Sequence, residues 1–378
     1  MKPRFFSILM GLALLILLAS PAPATGEDDD DLLIYEVVEG LETEAPRSIF
    51  QGDGSAIITI SCTGDFTIGG DNYHRKDIFT PELKKHDGDI NFVMANTRDL
   101  FLEDDLTLVN FEGTLTDTTY VPENKKGNSF LFNITPASVS VLTDNGIEAV
   151  SLENNHVMDH GQEGYDETKQ TLRDAGIVYS TSEDLGIYEI EGIQVAMMSY
   201  LCIDRYNKPV GGYATLFDKV AADITSLKKL YPIVIVSFHW GNEKDYAPTA
   251  NQFKMGRLAV DSGADLVIGH HSHRMNPIEE YKGVYICYSL GNFCFAGNSK
   301  PSDMSSFIFQ IRFRLKNREI INSDFRIIPI RISSRQDRND FIPTVVTRDT
   351  TVDSILNVLK ENGRKLEYAV TEYPMEWK

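Results

Sequence analysis

Five apolar runs in this chain stop on residues able to ligate a metal ion, and that placement constrains the fold more than any other feature. Residues 56–62 form a β-branched run followed by Gly64-Asp65, and residues 106–109 run into Asn110-Phe111-Glu112-Gly113. Residues 147–152 lead to Glu153-Asn154-Asn155-His156, residues 232–238 end at His239, and residues 265–268 end at Gly269-His270-His271. Short apolar runs bounded by turn signals read as buried strands. Helical spacing is expected between them over 89–102, 162–175 and 251–262, with a further helix opening at Pro136 and stopping at Asn145-Gly146. Strands alternating with helices predict an α/β core. A hairpin (187–190 with 195–199, across Glu191-Gly192) and a strand-rich stretch over 305–332 make the sheets mixed rather than purely parallel. A terminal helix is expected over 352–365. No proline- or glycine-rich internal linker interrupts the chain, so one large domain is expected over 55–335, followed by a C-terminal extension with a helix over 336–378.

In sheets of this kind ligands bind beyond the carboxyl ends of the strands. The five ends therefore place Asp65, Glu112, Asn155, His239, His271 and His273 as candidate ligands of one centre. Of the eight histidines, six (His156, His160, His239, His270, His271, His273) fall in these few segments. Carboxylates offset the charge of a divalent cation, neutral imidazoles suit zinc, manganese or iron, and an amide oxygen completes a shell without adding charge. In an extended segment His271 and His273 would project to one side and His270 to the other, where it would pack or support.

Charge and compartment narrow the function. There are 36 basic against 55 acidic residues, a formal net charge of −19, and an acidic surface is the wrong sign for tracking a nucleic-acid backbone. The segment 27–44 holds nine acids and no base and reads as a solvated spacer within a linker over 25–54. Ahead of it, Lys2 and Arg4 precede an apolar run over 5–19 and Ala22-Pro23-Ala24, the pattern of a secretory signal over 1–24. Export to the cell surface or beyond is expected; an uncleaved segment that holds the chain at the membrane is the alternative. The cysteines, Cys62, Cys202, Cys287 and Cys294, form no C-x-x-C pair, and three lie in strand-like runs where a buried free thiol is the expected state.

The motifs resemble the capsule biosynthesis protein CapA family, whose members include poly-γ-glutamate synthesis proteins and whose fold resembles the calcineurin-like metallophosphatases. The matching stretches are Gly64-Asp65 with Gly69-Gly70, Asn110-Phe111-Glu112-Gly113, Asn154-Asn155-His156 through His160-Gly161, His239-Trp240-Gly241-Asn242-Glu243, Gly263-Ala264-Asp265 through His273, and Tyr288-Ser289-Leu290-Gly291-Asn292-Phe293. The resemblance implies a metallophosphatase-like sandwich of two mixed β-sheets flanked by helices, with Asp65, Glu112, Asn155, His239, His271 and His273 as metal ligands. It implies His156 as general acid, Asp159 as the group orienting it, and Glu243 as a second base or ligand. Two departures stand out: Asp65-Phe66-Thr67 lacks the histidine of the usual D-x-H, and Asn110-Phe111-Glu112 replaces the usual G-D-x-x-D. One tight divalent metal (manganese, zinc or iron) is therefore expected on Glu112, Asn155, His239 and His271, with a weaker position at Asp65, Glu112 and His273. The implied partners are an anionic polymer such as poly-γ-glutamate and a membrane-bound capsule synthase complex. Arg205, Lys208 and Arg257 are the candidate cations for the polymer. A secreted phosphoesterase and a non-catalytic polymer-binding scaffold are the alternative functions.

Overall fold

The computed structural model describes residues 48–70, 77–126, 130–203 and 213–377. The signal segment, the acidic spacer, and Arg205 and Lys208 lie outside the described residues. No helix among the described residues is long and apolar enough to cross a membrane.

Two mixed sheets face each other. The larger contains β1 (Ala56–Thr67), β2 (Leu106–Phe111), β5 (Ala149–Ser151), β6 (Val178–Ser180), β13 (Asn292–Phe295), β14 (Ser305–Lys316), β15 (Glu319–Arg331) and β16 (Thr344–Val345). Its order is β16-β15-β14-β1-β2-β5-β6, with β13 pairing beside the end of β1. The smaller contains β7 (Gly186–Ile190), β8 (Ile193–Cys202), β9 (Ile233–Trp240), β10 (Leu266–His270), β11 (Ile278–Tyr281) and β12 (Val284–Cys287), ordered β11-β12-β10-β9-β8-β7. A two-stranded ribbon, β3 (Thr114–Leu115) with β4 (Asn133–Ile134), stands apart from both. The helices are α1 (Phe79–Lys85), α2 (Arg98–Leu102), α3 (Ser140–Thr143), α4 (Gly161–Asp174), α5 (Tyr213–Lys228), α6 (Ala250–Asp261) and α7 (Asp349–Gly363).

Side-chain alternation along each strand explains the layers. Ile58, Ile60 and Cys62 of β1 meet Ile235, Ile268 and Cys287 of the smaller sheet in the central core. On the outer face of the larger sheet, Val109 and Val150 pack with Phe101, Val141 and Leu172. The outer face of the smaller sheet buries Val234, Val236 and Val267 against Ile224, Met255 and Ala259 of α5 and α6. All four cysteines are free and buried, and burial pushes their thiols upward in pKa.

Three sequence expectations need correction. The helix expected over 89–102 is broken into a 3-10 turn, Ile90–Met94, and α2. Asp89 starts the first piece by accepting from the Asn91 amide, and Asn96-Thr97 ends it; short polar side chains of this kind compete with helical backbone bonding. The folded unit begins at Ile49 rather than 55: Ile49 is buried, and its carbonyl accepts from Ile57 N. The C-terminal stretch, expected as an extension, belongs to that same unit. Ile355 and Leu359 of α7, with Val370 and Tyr373 beyond it, are part of the central core.

An ion pair also ties the C-terminal stretch to α1. Arg338 donates to both Glu82 oxygens, at 3.0 and 3.2 Å. The Arg338 guanidinium, aided by Lys85, lowers Glu82 to about 2 against the opposing effect of burial. Because the folded value lies below the unfolded one, the stabilisation is complete above roughly pH 4.5 and is lost as pH falls toward 2. Since Arg338 is partly exposed, Glu82→Gln should cost only about 1 kcal/mol at pH 7. It should cost nothing near pH 2, as urea unfolding at the two pH values will read.

Candidate metal centre

The site is built where the carboxyl ends of the parallel strands in the two sheets meet. In the larger sheet Asp65 is the register partner of both Asn110 and Asn292, and in the smaller sheet His239 is the partner of His270. The β1 register shifts between Cys62 and Asp65 against β2, and again after Asp65 against β13. Bulges of this kind re-aim a side chain at a strand end. The bulge also brings Gly64 against Gly291: a Cβ there would sit 2.1 Å from the Gly291 carbonyl oxygen, and the next amide, Asp65 N, donates to that oxygen at 2.9 Å. Gly269 has the same role in β10, where a Cβ would lie 2.1 Å from Tyr288 O.

Asp65 is fully buried and surrounded by donors. Asn110 Nδ2 donates to Oδ1 at 2.9 Å, and His270 Nδ1 lies 3.4 Å from the same oxygen. The His271 amide donates to Oδ2 at 3.3 Å, and His273 Nδ1 is 3.1 Å from it. Burial alone would raise the carboxyl; the imidazoles of His270 and His273 outweigh it and hold Asp65 well below the usual carboxylate range. Glu112, directly after β2, is the opposite case. It is 1% exposed, and neither carboxylate oxygen has a hydrogen-bond partner. Burial, then the negative charge of Asp65, raises it to about 7. Its Oε1 lies 3.8 Å from both His156 Nε2 and His239 Nε2.

The histidines arrive by a route the sequence did not show. β10 ends at His270, and His271 and His273 adopt positive φ, 90° and 53°. They therefore sit on a bent loop and not on the extended segment whose alternation was expected to aim them. His270 likewise points into the cluster, beside Asp65, rather than away from it. His239 Nε2 is 2.8 Å from Asn155 Oδ1, and the His239 and His271 rings are 4.7 Å apart. Burial holds both neutral: it drives His239 well below its ordinary value and His271 to about 3. For His273 burial also lowers the value, but Asp65 and Glu112 prevail and raise it to about 9.

Asp65, Glu112, Asn155, His156, Asp159, His239, His271 and His273 are thus brought into one cluster, buried except for the partly exposed Asn155, His156 and His273. Asp65, Glu112 and His273 present ligand atoms within 4.8 Å of one another. Glu243 does not join them: it is exposed on the loop after β9 and acts on the cluster only through the effect of its charge on Glu112. His156 is fixed through its other nitrogen, Nδ1, 2.7 Å from Asp159 Oδ2. Burial lowers the imidazole, and the neighbouring Asp159 more than compensates, so the net shift is upward. Sequence reasoning gave no role to Asn110 or Asn292, although both lie in motif stretches; Asn292 Oδ1 holds His273 Nδ1 at 2.8 Å. Lys125 carried no sequence signal at all.

The residues present fit a cation. A buried carboxylate with two unpartnered oxygens costs several kcal/mol unless a proton or metal meets it. The same cluster holds His239 and His271, kept neutral by burial, and the Asn155 amide oxygen, a donor set suited to a divalent transition metal or zinc.

The fold is a two-sheet α/β sandwich with carboxylate, imidazole and amide groups gathered at its strand ends. The chain matches the model of the bacterial capsule synthesis protein PGA_cap over residues 59–297 and belongs to that family. It is 30% identical over 280 residues to the PGA biosynthesis protein CapA of Bacillus subtilis, covering 70% of each chain. It is 24% identical over 329 residues to the capsule biosynthesis protein CapA of Bacillus anthracis, covering 82% of this chain and 73% of that one. Among solved structures it aligns with the 5'-nucleotidase of Candida albicans at 14% identity and a TM-score of 0.39, covering 72% of this chain and 51% of that one.

Proposed function

We propose that this protein acts in poly-γ-glutamate capsule biosynthesis as an exported, metal-dependent hydrolase. Family membership and the names of the two CapA relatives support the capsule role. The observation that carries the metal-dependent chemistry is Glu112, a fully buried carboxylate with no donor on either oxygen, in a cluster where His239 and His271 are held neutral.

Glu112, Asn155, His239 and His271 would hold a tight divalent ion, and Asp65, Glu112 and His273, whose ligand atoms lie within 4.8 Å of one another, would hold a weaker one. Such an ion, when bound, polarises a phosphoryl or acyl oxygen and lowers the pKa of water. The chain's own contribution is proton delivery and exclusion of solvent. Asp159 engages His156 Nδ1, which leaves Nε2, 3.8 Å from Glu112, as the atom that exchanges a proton with the leaving group. Phe132 lies edge-on against the His156 ring at 4.9 Å and shields it. Glu243, at the exposed rim, contributes its charge and does not contact the reacting atoms. Arg257 is unavailable to the polymer, because its guanidinium is committed to Glu279 at 2.8 Å. Local neutralisation of a polyanion then falls to the metal, the imidazoles and the two remaining candidate cations, Arg205 and Lys208.

The test uses the purified full chain. One tight equivalent of manganese, zinc or iron should be retained, and a His239→Ala, His271→Ala variant should retain none. Metal-loaded protein should shorten poly-γ-glutamate on a sizing gel, and His156→Ala should not. Metal retention without any change in polymer length would replace the hydrolase by a polymer-binding scaffold, and no metal retention would remove the catalytic reading and leave that scaffold.

A further inference from the structure

The segment between β2 and β5 makes an excursion whose purpose is not evident from the motifs. It leaves the larger sheet after Glu112, forms the β3–β4 ribbon, and passes through a 3-10 turn, Glu123–Lys125. Its base is fastened to α4: Leu115 N donates to Thr168 Oγ1 at 2.9 Å, and Thr116 Oγ1 bonds Glu167. Its far end reaches the turn that carries His156. There Lys125 Nζ donates to Asp159 Oδ1 at 2.7 Å and to the backbone carbonyl of Asn155 at 2.8 Å. Phe132 N donates to Asp159 Oδ2 at 2.9 Å, and the Phe132 ring flanks His156.

We propose that Lys125 is a positioning residue that locks the His156–Asp159 dyad into its working orientation. The inference rests on the reading of His156 as the proton donor. The physical case is one of bond counting. Asp159 is fully buried, so both oxygens need partners, and an unpaired one would turn the carboxylate toward whatever donor is nearest. Oδ2 must serve His156 and Phe132 N, and Lys125 is the partner of Oδ1. With Oδ1 held, the carboxylate cannot rotate, and the 2.7 Å contact to His156 Nδ1 keeps Nε2 directed at the space beside Glu112. The second Lys125 bond, to Asn155 O, fixes the backbone between the amide ligand and the acid. One ammonium therefore sets the spacing between the residue that would hold the ion and the residue that would deliver the proton. The Lys125 side chain is 14% exposed and Asp159 is not exposed, so this charge-assisted pair is shielded from salt and solvent competition. Lys125 touches neither the candidate ligand atoms nor the reacting space, which separates its role from that of a catalytic residue.

The experiment labels histidine with 15N in the full chain and follows the imidazole N–H proton bonded to Asp159, assigned by its absence in His156→Gln. In Lys125→Met that resonance should move upfield or vanish by exchange, and Lys125→Arg should restore it. Retained metal should equal the parent's in both variants. On the chromogenic diester bis-p-nitrophenyl phosphate, Lys125→Met should lower kcat roughly tenfold or more with KM within about twofold. Lys125→Gln, which keeps one donor, gives a second measurement should the methionine variant fail to fold. An unchanged resonance in Lys125→Met overturns the positioning role. If the parent hydrolyses no substrate, the hydrolase reading falls, and the resonance still decides the role of Lys125.

Discussion

Glu112→Gln should stabilise the metal-free protein at pH 8 and destabilise the metal-loaded one. Glu112 is raised to about 7 by burial and by Asp65, against an unfolded value near 4.5. The unfolded chain therefore releases this proton first, and stability falls as pH rises from about 4.5, levelling off above about 7. At pH 8 the ionised side chain costs on the order of 3 kcal/mol, which glutamine avoids because it carries no charge. In chelator at pH 5 parent and variant should unfold at similar urea concentrations; at pH 8 the variant should unfold later. Saturating manganese should reverse the order, because the ion stabilises the folded state by its binding free energy and glutamine is a poor ligand. If the parent shows no stabilisation by manganese, zinc or iron, Glu112 is a strained carboxylate without a cation and the metal reading fails.

Arg257→Ala should be the most damaging single change away from the metal centre. Glu279 is fully buried on β11 and receives Arg257 Nη2 at 2.8 Å, Arg257 Nε at 3.3 Å and the Tyr288 hydroxyl at 2.7 Å. The guanidinium also lies over Tyr368, 4.8 Å from its centroid, and reaches Glu367 at 3.3 Å. It thereby joins α6, β11 and the segment after α7. Removing it leaves a buried charge with one neutral donor, at a cost of about 3 to 5 kcal/mol. Adding Glu279→Gln to Arg257→Ala should recover more than half of that loss, since it removes the stranded charge. A double variant no more stable than Arg257→Ala would mean that the packing of the guanidinium on its aromatic neighbours, and not the ion pair, carries the energy.

These two residues also show how far the amino-acid order reaches. Glu112 is legible in sequence: it follows a buried strand, lies in a motif stretch, and stands where α/β sheets bind ligands. Its lack of any hydrogen-bond donor is not legible, because that depends on which side chains from β9 and the 156–160 turn approach it. Arg257 reads in sequence as a cation free to meet a polyanion. Glu279, 22 positions away, takes that role from it, and no local pattern announces the pairing.

The same division runs through the protein. Strand ends, glycine positions and the clustering of six histidines in a few short segments determined the sheet class, the end of the sheets that holds the site, and nearly all of its members. Local chemistry suffices there, because burial of β-branched runs and the turns that stop them act over a few residues. Tertiary structure alone decided the rest. It placed His271 and His273 on a left-handed loop, turned His270 toward Asp65, brought α7 into the central core, and sent Lys125 across 34 positions to Asp159. Each of those depends on two segments distant in sequence meeting with their polar atoms satisfied, and pairing of that kind is specified by the whole packed interior rather than by any one stretch of chain.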